Sequence, residues 1–230
     1  MTVLQVVQDA SLRIGIERPT VLFASTDRTM FEVQEAINAA AQQILDDYDW
    51  QALTKTATIT GDAVTTAFPL PDDYYRMTRK TEMWSSAGPG WRLEGVTPED
   101  FLALDASTLN VWLGYWAIFG NAMNIEPVRP IGETAKYLYI NKNCVTPAAG
   151  AAKAEFTADD DTFVLNERLL KLCFIAKWKQ AKGFDYAADQ NDYEIALNYA
   201  MARDKGTRII RSGTGLRGPG IGVAWPWELG

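Results

Sequence analysis

The spacing of the hydrophobic residues changes twice along this chain of 230 residues, and that change constrains the fold most. Apolar residues recur at helical spacing from residue 2 to about Tyr48, and again from Asn166 to about Asp204. Between these stretches they alternate with polar residues or form short runs rich in Thr and aromatic residues, which is typical of strands. Helices at both ends with strands between them indicate the α+β class.

The two helical ends predict four helices. The first covers residues 2–14 and ends at Gly15, and the second ends at about Tyr48. Asn166 suits the N-cap of the third helix, and Gly183 suits its C-terminal end. The link to the fourth helix is short, which implies an antiparallel pair. We expect the two N-terminal and two C-terminal helices to pack as one helical bundle.

The middle of the chain predicts a mostly antiparallel β-region inserted into that bundle. KTATIT and AVTTAFPL flank Gly61-Asp62, and this pattern predicts a β-hairpin. VWLGYWAIF and AMNIE flank Gly120-Asn121, which suits a type II′ hairpin turn. The predicted division is 1–50 for the N-terminal helices, 51–162 for the β-region, 163–208 for the C-terminal helical hairpin and 209–230 for an extended C-terminal tail.

The composition excludes most common catalytic machinery. The chain has no histidine, so a Ser-His-Asp triad, a Cys-His pair or an HExxH zinc site cannot exist in it. Its two cysteines, Cys144 and Cys173, cannot build a structural zinc site, and no nucleotide-binding glycine motif is present. We therefore expect no cofactor and no catalytic or metal site. We also expect no signal peptide and no transmembrane helix.

Clustered acids leave one enzymatic alternative open. The clusters comprise Asp46, Asp47 and Asp49; Asp72 and Asp73; and Asp159, Asp160 and Asp161. Paired carboxylates could hydrolyse a glycan or bind calcium. None of the clusters has the spacing of an EF-hand loop, and roles at helix ends and turns explain most of them. A formal net charge of −7 argues against a protein that grips nucleic acid.

Two further segments allow two interpretations each. VWLGYWAIFG is either a carbohydrate platform or subunit-contact strand, or else a buried strand of the β-region. The basic run AKWKQAK, with Arg203, Lys205, Arg208 and Arg211, suits nucleic-acid contact, or solvated helix faces and salt bridges between subunits. Cys173 suits a small core residue.

The C-terminal stretch GTGLRGPGIGVAWPWELG, residues 213–230, is unusually apolar for a chain end. One interpretation is a frayed terminus. However, disordered segments are normally poor in aromatic residues, and tryptophan is enriched at interface hot spots. We therefore expect a flexible tail that becomes ordered on a partner. Its candidate binding residues are Leu216, Ile221, Val223, Trp225, Pro226, Trp227 and Leu229.

Several phrases, in order, resemble the head-to-tail adaptor proteins of tailed bacteriophages, a connector or tail-accessory family that includes tail tubular protein A-like proteins. The phrases are DDYDWQALTK, FPLPDDYYRM, DTFVLNERLLKLCFIAKWKQAKGFDYA and ARDKGTR, and the resemblance spans roughly residues 2–210. It implies a non-enzymatic structural protein of the virion neck, between capsid and tail, synthesised in the cytoplasm of a bacterial host.

The resemblance also implies partners. Such adaptors form a homo-oligomeric ring, usually of twelve subunits, that docks on the portal, extends the DNA channel and offers an attachment surface to the tail. Their C-terminal extension clamps the portal, which here assigns the tail residues Leu216 to Leu229 to portal binding. DNA would pass without specific binding, and no membrane is involved. The alternatives are a virion-associated glycan hydrolase that uses paired carboxylates and a stopper protein of the same neck.

Overall fold

A computed structural model describes residues 1–79, 81–86, 92–106 and 114–204. Within these ranges the chain forms five α-helices and a short 3-10 helix at Gln51–Leu53. The helices are α1 (Val3–Ile14), α2 (Arg28–Asp47), α3 (Pro98–Ala106), α4 (Glu167–Lys182) and α5 (Ala187–Asp204). The predicted helices at both ends are therefore confirmed.

The same ranges contain ten strands, most of them in one large sheet. They are β1 (Thr54–Thr60), β2 (Ala67–Pro69), β3 (Tyr74–Met77), β4 (Met83–Ser85), β5 (Arg92–Gly95), β6 (Tyr115–Phe119), β7 (Ala122–Glu126), β8 (Thr134–Asn141), β9 (Val145–Thr146) and β10 (Thr162–Phe163). Eight form a sheet in the order β1-β8-β4-β5-β6-β7-β2, and β3 also pairs with β8. Its pairs are antiparallel except β5 with β6, and β9 pairs separately with β10.

The helix ends follow local capping rules. Thr2 and Gln5 form a capping box at the start of α1. The Asn166 side chain accepts a hydrogen bond of 2.8 Å from the backbone N–H of Arg168 at the start of α4. Gly183 ends α4 in the left-handed region, with φ 72°. The caps at Asn166 and Gly183 were predicted from sequence, because a cap depends on neighbouring residues.

The predicted hairpin around Gly61-Asp62 is wrong. β1 pairs with β8 from Thr54↔Ile140 to Thr60↔Thr134, whereas β2 pairs with β7 at the far end of the sheet. The backbone N–H of Gly61 donates to the carbonyl of Glu133 at 2.8 Å. The residues of the predicted turn are therefore hydrogen-bonded to the loop before β8. The segment between β1 and β2 thus leads the two strands to different partners.

The predicted hairpin around Gly120-Asn121 is confirmed, but its turn type is not. β6 and β7 pair up to Phe119↔Ala122, next to the turn. Both central residues have positive φ, 62° for Gly120 and 59° for Asn121, which defines a type I′ turn instead of II′. The twist of a type I′ turn matches that of the flanking strands.

The described part of VWLGYWAIFG is a buried central strand. Trp116 and Ile118 pack with the hydrophobic cluster of the sheet, while Tyr115 and Ala117 pack with a cluster that includes Phe101 of α3. The rings of Phe101 and Tyr115 meet edge to face, with 5.2 Å between centroids. β6 is thus covered on both faces, as the second interpretation of this segment predicted.

The expected helical bundle with an inserted β-region is wrong as a description of the fold. The core beneath α1, α2, α4 and α5 also contains Ile140 of β8, Val145 of β9 and Phe163 of β10. Phe156, from the loop between β9 and β10, is buried in the same core. The hydrophobic core of the helices therefore includes strand and loop residues. The mixed sheet beside it has eight strands, so it is a main part of the fold and not a small insertion. The predicted segment boundaries stay a prediction.

Candidate interaction surfaces

The predicted binding tail begins where the description of the structure ends. Residues Leu216, Ile221, Val223, Trp225, Pro226, Trp227 and Leu229 all lie outside the described residues, as do Lys205, Arg208 and Arg211. α5 ends at Asp204, whose carboxylate accepts a hydrogen bond of 3.0 Å from the backbone N–H of Gln51. The last described residue before the tail therefore lies beside the junction between α2 and the sheet.

Charge separates the last 26 residues, which include the tail (209–230), from the rest of the chain. Residues 205–230 carry four basic residues, Lys205, Arg208, Arg211 and Arg217, and one acid, Glu228, for a formal charge of +3. Residues 1–204 carry 18 basic and 28 acidic residues, for a formal charge of −10. A basic, apolar segment therefore follows an acidic body.

The acidic cluster at the end of α2 joins the helices to the sheet. Asp47 accepts a hydrogen bond of 2.6 Å from the hydroxyl of Tyr193 on α5. Asp49 accepts one of 2.7 Å from the backbone N–H of Arg79 and is also paired with the Arg76 guanidinium. Asp46 accepts one from the hydroxyl of Tyr75 on β3. The cluster therefore connects separate elements.

The other two acidic clusters also bind their own chain. Asp73 accepts hydrogen bonds from Lys55 Nζ at 2.6 Å and from the Tyr139 hydroxyl at 2.7 Å. Asp159 accepts bonds from the backbone N–H groups of Leu22 and Phe23, and thereby fixes the loop between α1 and α2.

Asp161 is fully buried and fixes the loop before β10. It pairs with Lys153 Nζ at 2.7 Å. It also accepts hydrogen bonds from the backbone N–H groups of Thr157 at 2.8 Å and Ala158 at 2.9 Å. This carboxylate therefore serves as the capping group of a turn.

The electrostatics of Asp49, Asp73 and Asp161 do not suit the proton donor of a glycan hydrolase. Burial opposes ionisation of Asp49, Asp73 and Asp161, but hydrogen bonds and a neighbouring cation outweigh it and hold the pKa of each below its ordinary value. A glycan hydrolase needs one carboxyl whose pKa is raised. Within the described ranges, no group of three or more acids and cysteines could hold a metal ion.

A groove of about 550 Å³ opens between α1, α4 and α5. Arg13 borders it at the end of α1, and Arg168 and Lys171 border it on α4. From α5, Ile195 and Tyr199 lie four residues apart on one helix face and are both exposed. The groove therefore combines exposed apolar side chains with basic ones.

The predicted basic run has a structural role on one side of α4. Lys179 Nζ pairs with the buried Asp189 at 2.5 Å, and Arg13 pairs with the same carboxylate at 2.7 Å. Lys182 pairs with Glu32 of α2 and lies 4.8 Å above the Trp178 ring. The sequence suggested either nucleic-acid contact, or solvated helix faces and salt bridges between subunits. Lys179 and Lys182 do form salt bridges, but these join helices of one chain instead of two subunits.

Two loops form a second exposed feature at one end of the sheet, which we call the loop tip (residues 61–66 and 127–133). Val64 and Ile131 are almost fully exposed on it. Beneath them, Arg129 and Glu133 form a buried ion pair at 2.8 Å. An added Cβ at Gly61 would lie 2.4 Å from the Pro130 carbonyl oxygen, so the two loops meet at van der Waals contact or closer.

Sequence reasoning did not identify the groove or the loop tip. Arg168 and Lys171 lie three residues apart on one helix face, and this spacing is the one sequence signal that could have indicated the groove. Nothing in the sequence brings the loop of Val64 to the loop of Ile131, because 66 residues separate these two residues. The contact between the loops depends on long-range backbone hydrogen bonds, such as that from the Ala63 N–H to the Arg129 carbonyl.

Comparison with known proteins adds one match. A family model described as SU10 adaptor protein matches residues 1–220. No curated protein matches the chain. In the described part of the chain, no helix combines the length and the apolar composition needed to span a membrane.

Proposed function

This chain belongs to the SU10 adaptor protein family, and from that premise we propose that it is the head-to-tail adaptor ring of a tailed phage. The resemblance seen in the sequence is confirmed, and the protein is a structural adaptor of a phage and a virion component. We place it in the neck, docked on the portal, where it extends the DNA channel and offers an attachment surface to the tail. The single observation that carries this proposal is the family match over residues 1–220.

The ring follows from the kind of interface that such a protein needs. A head-to-tail contact between identical subunits generates a closed ring when its rotation closes. Twelve subunits is the number that the resemblance implies. Residues 1–204 carry a formal charge of −10, so DNA would be repelled by the body of the ring and could slide through it. A downstream tail or stopper protein would bind the opposite end of the ring.

The tail is the proposed portal-binding segment. Glycines from Gly213 to Gly222 give it reach, and Trp225-Pro226-Trp227 gives it a stiff apolar anchor. Burying a large apolar side chain contributes about 1.5–3 kcal/mol, so several such residues can hold the contact. The family match ends at residue 220. The proposal for residues 221–230 therefore rests on their own chemistry.

Deleting residues 212–230 tests the portal contact. We expect the truncated protein to unfold in urea at the same midpoint as the full chain, because the deletion leaves the described core untouched. We expect it to lose binding to purified portal in a pull-down assay. Unchanged portal binding by the folded, truncated protein would contradict the role of the tail.

A pair of tryptophan variants gives a matched control. Trp225→Ala with Trp227→Ala should weaken portal binding by about 30-fold or more, as expected for interface hot spots. Trp84→Ala removes an exposed tryptophan ring of β4 that does not belong to the tail segment, and it should leave the affinity unchanged. Equal effects of both changes would show that the loss is not specific to the tail.

A further inference from the structure

Three cations border the groove between α1, α4 and α5 without a charged partner among the described residues. Arg168, Lys171 and Arg203 border the groove, and across the described ranges no ion pair involves any of them. Arg13 of the same groove is already paired with Asp189 and Asp192. Acids outnumber bases by ten in residues 1–204, so most cations of this body have an acid available to pair with. Three neighbouring cations without such a pair among the described residues therefore indicate that the groove receives an acidic partner.

α3 has the complementary character. Glu99 and Leu102 lie three residues apart on its exposed face, and Leu102 is 60% exposed. Asp100 is also exposed, and its carboxylate accepts a hydrogen bond of 2.7 Å from the Thr97 hydroxyl. α3 thus presents an apolar side chain flanked by acids, whereas the groove presents Tyr199, 65% exposed, flanked by bases.

The position of α3 implies that the contact joins two copies of the chain. Phe101 holds α3 against β6 in one hydrophobic cluster, whereas the groove lies over the separate cluster beneath the helices. We propose that α3 of one subunit docks into the groove between α1, α4 and α5 of the next subunit. This contact is head-to-tail, as a ring requires, and the inference rests on the proposed function. A helix that docks into a groove of its partner is a common recognition mode.

Charge disfavours the other occupants of the groove. Residues 205–230 carry a formal charge of +3 and would be repelled by Arg168, Lys171 and Arg203. DNA would meet only a few cations on a body of charge −10, and affinity for DNA grows with the number of phosphates neutralised. The exposed Ile195 and Tyr199 favour a partner with an apolar side chain.

Disulfide cross-linking between copies tests the contact. One copy carries Tyr199→Cys and the other carries Leu102→Cys. The two variants are mixed in two preparations, one of concentrated purified protein and one during assembly on portal. The native Cys144 and Cys173 do not compete, because both are buried and burial raises the pKa of their thiols to about 11 and about 12. We expect a cross-linked dimer from this mixture only. Val64→Cys replaces Leu102→Cys in the control, since Val64 is exposed on the loop tip and does not belong to α3.

Three outcomes overturn the proposal. They are the lack of a cross-link in both preparations, an equal yield with the Val64→Cys control, and a cross-link within a single chain that carries both Tyr199→Cys and Leu102→Cys. The proposed function is judged separately, by detecting the chain in purified virions. If the chain is missing from virions, the purified preparation still tests the contact.

A charge reversal sharpens the assignment. Arg168→Glu should lower the cross-link yield by about tenfold, because it places like charges face to face. With Arg168→Glu in the Tyr199→Cys copy, Glu99→Arg in the Leu102→Cys copy should restore the yield, and Lys142→Glu, a reversal at an exposed lysine, should leave it unchanged. If Arg168→Glu leaves the yield intact but reduces retention on DNA, the groove binds nucleic acid and the proposal is wrong.

Discussion

The loops that border the helical core, which we call the rim (residues 22–23 and 156–161), and the loop tip of the sheet hold irregular backbone in place by different contacts. At the rim, single polar side chains bind backbone groups directly: Asn38 accepts from and donates to the backbone of Phe156, and Asp159 accepts from the N–H of Leu22. At the loop tip, Arg129 and Glu133 form an ion pair whose side chains are only 8% and 9% exposed.

The difference determines what one substitution costs. Removing a partly exposed cap at the rim leaves backbone groups that water can reach, so the loss is typically about 1 kcal/mol. Removing one partner of a buried ion pair leaves the other charge buried and uncompensated, which costs several times more. The loop tip should therefore be the region more sensitive to single changes of charge, and the helical core to changes of volume.

The largest effect should come from Glu133→Ala. This change leaves the Arg129 guanidinium buried without its carboxylate, and we expect the free energy of unfolding to fall by about 3–5 kcal/mol. Urea unfolding measures the loss. Glu82→Ala is the matched control, because it removes a carboxylate paired with Arg92 at 2.6 Å on the exposed surface and should cost about 1 kcal/mol or less. Equal losses would remove the contrast between buried and exposed pairs.

Ile140→Ala should destabilise the protein by about 2–5 kcal/mol, by loss of burial and formation of a cavity. Ile140 belongs to β8 but is fully buried in the core beneath the helices. Its neighbour Leu138 is 44% exposed, and Leu138→Ala should change stability by about 0.5 kcal/mol or less. If both changes had the same effect on unfolding, the helices would not depend on this strand.

Tyr193→Phe should cost about 1.5–3 kcal/mol, the range for a hydrogen bond to a charged group. The buried Tyr193 hydroxyl donates to Asp47 at 2.6 Å and connects α5 to α2, and burial raises the pKa of the phenol, so it stays a donor at neutral pH. The exposed Tyr186 provides the control, since Tyr186→Phe removes a hydroxyl at the surface. Thermal unfolding of both variants would show whether the loss is specific to the buried hydroxyl.

The smallest effect is a change in how stability depends on pH. The pKa of Asp161 is lower in the folded protein than in the unfolded chain, where it is about 4. The ionised carboxylate therefore stabilises the fold fully above about pH 4, and this stabilisation is lost as the pH falls through the pKa of the folded state. Unfolding curves of wild type and Asp161→Asn should therefore differ most at neutral pH and converge below about pH 4. A constant difference across that range would exclude this carboxylate as a source of acid sensitivity.

The sequence by itself determined the local features of this protein. Periodicity and capping residues located the helices, since a cap such as Asn166 depends on residues within one turn. The β6–β7 hairpin was predicted because its turn residues lie between its two strands. The ordered phrases shared with phage adaptors indicated the family, and the composition of residues 213–230 indicated a binding tail, whose role stays a proposal.

The tertiary structure decided which distant residues meet. The partners of β1 and β2 are β8 and β7, because the loop after Gly61 is bonded to the loop before β8, and no local rule contains that information. The core beneath the helices needs Ile140, Val145 and Phe156, which the predicted boundaries assigned to the β-region, and the β10 residue Phe163, which they assigned to the C-terminal helical hairpin. The basic groove likewise exists only because antiparallel α4 and α5 place Arg168 and Arg203 on its border, 35 residues apart in sequence. Local chemistry determines an element from its neighbours in sequence, whereas pairing and packing depend on surfaces that form only when the chain folds.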